Sequence, residues 1–262
     1  MSVLLKELKE SSKTTDEELA KFFDWFFEIG YSEVVFADKA IFYEGDTERL
    51  FIRKAMTLEK YKKLSQQYVA FIQVGGAYAK NYEKLIRLLG IKSLIITDID
   101  YEKEKLAVDD IESSATTNAT IKHFYSFSHP GEKPSVKDLY EWENANKNIM
   151  DNLIYICFQT GDDGYARTLE EAMINKYFST DVTTKYKKRE WVQKKKDSKL
   201  KFSIPNKKND KKISDDDEVS IRDILASTSG HKTDFMYSVI MNGYVEKIMP
   251  EYIDGGLTWL MR

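Results

Sequence analysis

The sequence predicts an α/β fold: a parallel sheet flanked by helices, with a helical lead-in before it and a polar, basic extension after it. Two observations carry this. Short runs that are apolar throughout recur along the first two thirds of the chain, and segments with a helical apolar period separate them. Strands that lack polar alternation are those buried on both faces, and helices in the connections are what cover them. A third observation agrees. Acidic residues stand just after two of the runs, and open parallel sheets bind ligands beyond the carboxyl ends of their strands.

The elements follow in chain order. Residues 17–29 read as a helix with Leu19, Phe22, Phe23, Phe26 and Phe27 at helical spacing and Gly30 as its stop. So aromatic a face is expected to pack on the chain's own core, with docking against another domain as the alternative. Residues 40–43 form a first strand, 47–64 a helix, 68–74 a second strand and 79–89 a second helix. Residues 93–98 form the third strand and 153–158 the fourth, with a helix from about 168 to 177. Residues 102–147 are polar and are expected to be an insertion, with loops at Thr116-Thr117-Asn118-Ala119-Thr120 and His129-Pro130-Gly131. Three parts result: a lead-in over 1–38, a core over 39–180 with the insertion at about 102–150, and a basic C-terminal part over 181–262.

A chain of 262 residues with 42% hydrophobic and 13% aromatic content is globular in composition and not disordered. Its formal charge of -3 does not point to nucleic acid, but the charge is clustered. Residues 185–212 carry thirteen Lys and Arg against Glu190, Asp197 and Asp210, a local charge of +10, and Asp215-Asp216-Asp217-Glu218 follow directly. One reading is a flexible loop in which Lys187, Lys188, Arg189, Lys194, Lys195 and Lys196 grip DNA phosphates while Tyr186, Trp191 and Phe202 stack on bases. The other is a solvated segment paired with the acidic run, its aromatic residues anchoring it to the core. The single Cys157 lies in an apolar strand and excludes an internal disulfide framework. No apolar run approaches the roughly 20 residues of a membrane span, and the N-terminus lacks a secretory h-region. A cytoplasmic protein is expected. His123, His129 and His231 have no metal-ligand spacing to one another.

The chemistry concentrates in two motifs, Tyr43-Glu44-Gly45-Asp46-Thr47-Glu48 and Asp98-Ile99-Asp100. Glu44 ends the first strand, Gly45 permits a tight turn, Thr47 is placed to cap the next helix, and Glu48 falls in its first turn. Asp98 and Asp100, at i and i+2 of an extended chain, leave on the same side. If the first and third strands are neighbours, four carboxylates converge and repel one another unless a cation relieves them. All-oxygen ligands favour Mg2+, with Mn2+ or Ca2+ as alternatives, and two such ions roughly 3.5–4 Å apart suit phosphodiester chemistry. Each motif alone is as readily a solvated strand end or an acidic helix start.

These same residues, with Val74-Gly75-Gly76 between them, resemble the Toprim fold of topoisomerases, primases, recombination proteins and the OLD family of nucleases. The lead-in Ser32-Glu33-Val34-Val35-Phe36-Ala37-Asp38-Lys39 is similar to the OLD branch. Thr116-Thr117-Asn118-Ala119-Thr120-Ile121, Phe158-Gln159-Thr160 running into Ala166-Arg167-Thr168-Leu169-Glu170-Glu171-Ala172, and Gly230-His231-Lys232-Thr233-Asp234-Phe235 resemble the Gabija-type anti-phage nucleases within it. The likeness covers about residues 31–245. It implies a cytoplasmic DNA endonuclease that uses two Mg2+-class ions held by Glu44, Glu48, Asp98 and Asp100, the shell completed by Thr168 and Glu170. Glu44 then acts in catalysis as well as in binding, and Lys232 contacts the scissile phosphate or stabilises the transition state. OLD relatives resemble a fusion to an ABC-type ATPase, but this chain has no Gly-x-x-x-x-Gly-Lys-Ser/Thr; its nearest string, Gly230-His231-Lys232-Thr233, lacks the glycine before the lysine. An ATPase domain or polypeptide outside this chain, a helicase-like companion and a homo-oligomer of the full-length protein are therefore implied. The alternatives are a non-catalytic DNA-binding module that partners an ATPase, or a primase- or topoisomerase-like Toprim enzyme.

Overall fold

The computed structural model describes residues 21, 28, 31–75, 78–102, 106–208 and 211–262. The aromatic side chains expected over residues 19–27 lie outside the described residues. Strand β1 (Lys39–Tyr43) is buried along its whole length. Its side chains alternate between faces: Ile41 and Tyr43 enter one core, Ala40 and Phe42 the other. Helix α1 (Asp46–Ala55) follows directly. The predicted helix over 47–64 is shorter than expected. The Thr57 hydroxyl donates to the Lys54 carbonyl at 2.7 Å and Leu58 is extended, which ends the helix and turns Tyr61 and Leu64 into the core.

Strand β2 (Val69–Gln73), helix α2 (Glu83–Leu89) and strand β3 (Lys92–Ile96) come next. β1 pairs in parallel with β2 on one side and β3 on the other, so the chain reverses its direction of travel across the sheet between β1 and β3. The adjacency on which the carboxylate argument depended is therefore present. The segment after β3 is more structured than its polarity suggested. Helices α3 (Val108–Ser113), α4 (Ala119–Tyr125) and α5 (Val136–Asn144) bury Ile111, Ile121, Phe124, Leu139 and Trp142 in the second core. Only a few apolar residues at helical spacing were needed to cover that face.

Strand β4 (Ile149–Met150) forms a short antiparallel edge on β5 (Ile154–Cys157), which pairs in parallel with β3. The sheet order is thus β2-β1-β3-β5-β4. Helix α6 (Leu169–Phe178) leads to the basic stretch, which folds as strand β6 (Lys185–Lys187) and helix α7 (Lys188–Ser198). A short pair, β7 (Lys207–Lys208) and β8 (Lys211–Lys212), precedes β9 (Glu218–Ser220), which returns antiparallel to β6. The expected flexible loop is corrected to an ordered element. Trp191 and Phe202 are fully buried, and the Trp191 indole donates to the Val219 carbonyl at 2.9 Å. Those two rings anchor the segment and are not free to stack on bases.

Helices α8 (Ile221–Thr228), α9 (Lys232–Met241) and α10 (Glu251–Met261) complete the chain. α10 crosses β3 and β5 at close range. A Cβ at Gly256 would stand 3.0 Å from both Cys157 Sγ and Leu94 Cδ1, so only glycine permits this approach. Among the described residues no helix is long and apolar enough to cross a membrane.

Candidate metal centre

Glu44 is the first residue past β1, and its carboxylate Oε1 accepts from the Thr97 hydroxyl and from the Asp98 N–H at 3.3 Å. Glu48 occupies the third position of α1 and reaches back to the Gly45 N–H at 3.0 Å, so Gly45 and not Thr47 is the N-cap. The Thr47 hydroxyl instead donates to the same Glu48 oxygen at 3.3 Å. A Cβ on Gly45 would lie 3.2 Å from that oxygen, which explains glycine here on grounds of space.

Strand β3 stops at Ile96, two residues earlier than expected. The following residues belong to no strand, and Asp100 has a positive φ of 50°. Asp98 and Asp100 therefore part company. Asp98 Oδ1 accepts from the buried amide of Gln159 at 2.6 Å, whereas Asp100 stands 3.7 Å from the Arg167 guanidinium. Asn118 ties this turn down. It caps α4 through Oδ1, and its Nδ2 donates to Thr97 Oγ1 at 2.7 Å and to the Asp98 carbonyl at 2.8 Å.

Thr168 is the N-cap of α6, accepting from the Glu171 N–H at 3.4 Å. Glu170 is buried in the first turn of that helix. Its Oε2 accepts from Lys232 Nζ at 3.0 Å, while its buried Oε1 has no hydrogen-bond partner. An orphaned carboxylate oxygen is costly and calls for a cation or a proton.

The carboxylates feel one another. Burial raises Glu48 to about 7, reinforced by Glu170 and Glu44. Burial lifts Asp98 well above the usual carboxylate range, with Glu48, Glu44 and Glu170 adding to it. Glu44 is raised by burial and by Asp100, and Asp100 is raised by burial against the opposing pull of Arg167 and Lys232. Burial alone would lower the Lys232 ammonium; Glu170, Asp98 and Glu48 outweigh it and raise it. Among the described residues no group of three or more His, Cys, Asp or Glu side chains is already arranged to hold a metal ion. The reason is visible in the hydrogen bonds, since Glu44 and Glu48 are turned onto protein donors. The donor chemistry nevertheless fits a hard cation: every group is a carboxylate, and Glu170 offers a bare oxygen.

Residues 35–100, which span β1 to Asp100, match the family model described as "Overcoming lysogenization defect protein-like, TOPRIM domain". That stretch is similar to the Toprim domain of OLD-like proteins. Over 99% of its length the chain is 25% identical to "Endonuclease GajA" of Bacillus cereus (strain HuB5-5), of which it spans 36%. The fold matches the C-terminal region of the Burkholderia pseudomallei OLD protein with a TM-score of 0.50 at 16% identity, covering 86% of this chain and 98% of that one. The C-terminal region of the Xanthomonas campestris pv. campestris OLD protein aligns with a TM-score of 0.45 at 17% identity, covering 88% and 95%.

Around the sheet, the basic residues singled out from the sequence are dispersed. Lys187 and Arg189 face Asp216 at 3.5 and 2.7 Å, and Lys188 Nζ donates to Asn206 Oδ1 at 3.0 Å. Lys194 lies over the Tyr186 ring at 4.4 Å and Lys195 over Phe202 at 5.8 Å; Lys196 is exposed. His123 meets Glu83 at 2.8 Å, His129 meets Ser128 and His231 faces Asp234, so the three remain apart. Sequence reading passed over Thr97, Asn118 and Gln159 as site residues. Asn118 and Gln159 stood inside recognised motifs, but their task depends on which strands and turns become neighbours.

Proposed function

We propose that this chain is a metal-dependent DNA endonuclease module that hydrolyses phosphodiester bonds at the Glu44, Glu48, Asp98 and Glu170 cluster. The observation that carries the proposal is the buried, partnerless Glu170 Oε1 among mutually repelling carboxylates beside Lys232. Glu44, Glu48, Asp98 and Glu170 would hold Mg2+ or Mn2+, with Asp100 and Thr168 at the rim. Two such ions supply an acidified water and Lewis-acid stabilisation of the leaving oxygen.

The chain's own residues do the rest. Gln159 orients Asp98, while Thr97 and Asn118 orient Glu44 and the turn after β3. The Lys232 side chain is 45% exposed, so its ammonium can turn from Glu170 toward a phosphate oxygen and offset charge that builds there. Arg189 and Lys196, the exposed basic residues of α7, supply salt-sensitive backbone contacts. An antiviral role in the cytoplasm, an ATPase region, a helicase-like companion and an oligomer belong to the same proposal; that this chain spans 36% of the GajA endonuclease it resembles is consistent with a further region.

The test is plasmid cleavage. Supercoiled DNA with purified chain and Mg2+ or Mn2+ is expected to be nicked or cut, and EDTA to stop it. Glu48→Gln and Asp98→Asn should lose roughly 10²–10³-fold in rate, as when a preorganised charged group is removed. Lys232→Ala should bind DNA nearly normally yet cleave poorly. DNA binding without turnover in any metal would instead establish a non-catalytic module.

A further inference from the structure

Beside the carboxylates, a cavity of about 150 Å³ opens between the start of α6 and α8. Its rim holds Thr168, Glu170 and Lys232, all three already placed at the candidate metal centre, so cavity and centre share one wall. The remaining walls differ in chemistry. Leu225 and Ala226 form an apolar side; Arg167 and Arg222 form a basic one, on which Glu171 offsets the charge of Arg222. Arg222 is buried against Glu171 at 3.3 Å and donates to the Tyr101 hydroxyl; Arg167 Nε donates to the Tyr101 carbonyl at 2.6 Å. Both guanidinium groups are thereby fixed in place before any ligand arrives.

A rigid pocket with cations on one wall and an aliphatic surface on the other suits a ligand with an anionic end and a flat, weakly polar body. Its volume of about 150 Å³ holds a ring or a phosphate, far below a duplex segment, and the rest of a nucleotide lies across its mouth, where Ala226 is exposed. We propose that this pocket is a nucleotide subsite, receiving the nucleoside monophosphate unit that adjoins the scissile bond. The phosphate of that unit faces Arg167 and Lys232, and its sugar and base lie along Leu225 and Ala226. A base seated there has left the stack, which makes a locally unpaired or distorted strand a better substrate than perfect duplex. This rests on the nuclease reading of the neighbouring carboxylates, and adds to it a determinant of which strand is accepted.

Ala226 is exposed, so a larger side chain fills the pocket without disturbing the core. The experiment compares wild type with Ala226→Trp in three measurements. In metal-free buffer, calorimetric titration with thymidine 5′-monophosphate should show binding to wild type and at least tenfold weaker binding to the variant. In Mn2+, the variant's KM for DNA should rise at least tenfold, with a much smaller change in kcat. Its efficiency on DNA relative to bis(p-nitrophenyl) phosphate, a substrate too small to need the subsite, should fall at least tenfold. Ala226→Phe serves as a second filling variant, and circular dichroism checks that each remains folded. Absence of nucleotide binding to wild type, or an unchanged KM in both folded variants, overturns the subsite. If wild type hydrolyses neither substrate, the nuclease reading fails, and the titration alone then decides whether the pocket binds nucleotide.

Discussion

At the scale of single residues, Gln159 shows how a neutral side chain sets the geometry of charged ones. It is fully buried, and both ends of its amide are used: Nε2 donates to Asp98 Oδ1 at 2.6 Å and to Tyr252 Oη at 3.2 Å, while Oε1 accepts from the Ile99 N–H at 2.8 Å. Gln159→Leu keeps the volume and strands the Ile99 N–H and the Asp98 oxygen. Each such loss costs about 1–3 kcal/mol. Urea unfolding should show a drop of that order, and plasmid cleavage should fall with it. Unchanged stability would mean that other groups already satisfy these atoms. Glu171 and Arg222 follow the same logic in ionic form. Both are buried and face each other at 3.3 Å, with the Tyr101 hydroxyl accepting from Arg222 and the Arg167 N–H donating to Glu171 at 2.8 Å.

Among the elements, the loop after β5 and the start of α10 are joined by one carboxylate. Asp163 Oδ2 accepts from the Thr160 N–H at 3.0 Å and Oδ1 from the Glu251 N–H at 2.7 Å. Burial nonetheless dominates those bonds and raises Asp163 from 3.8 to about 6. A raised carboxyl means that the folded state holds a proton that the unfolded state has released. The stability it contributes is full below about pH 3.8 and is lost as pH rises through about 6, an effect of up to about 3 kcal/mol. The difference in unfolding free energy between wild type and Asp163→Asn should therefore shift against wild type between pH 4 and pH 7. A difference that stays constant over that range would show Asp163 to be ionised throughout. This joint was not legible in the sequence, because Asp163 and Glu251 are brought together only by α10 folding back over the sheet. The four parallel strands were legible, since Ile41, Ile72, Leu94 and Ile156 sit in runs with no polar break. The basic stretch was legible as a charge cluster but not as an element. Whether Trp191 anchors or stacks depends on Phe178, Phe202 and Val219, which lie 11 to 28 residues away.

Across the whole molecule, two cores grip a sheet whose switch point between β1 and β3 is loaded with like charge. The folding free energy of the cores has to hold Glu44, Glu48, Asp98 and Glu170 together against burial and mutual repulsion. A cation site of the kind proposed would thus be a weak point without its ion, and stability and function should trade off there. Wild type in EDTA should melt at a lower temperature than in Mg2+ or Mn2+, by about 2–4 °C for each kcal/mol that ion binding contributes. Asp98→Asn removes one charge while leaving an oxygen for the Gln159 amide to meet. In EDTA this variant should melt above wild type, because the repulsion is reduced and no packing is lost. In Mg2+ the order should narrow or reverse, because the variant has given up a ligand. Differential scanning calorimetry of the two proteins, each with and without the ion, gives the four temperatures needed. If the ion shifts both proteins equally, or shifts neither, the carboxylates at the switch point do not form a cation site.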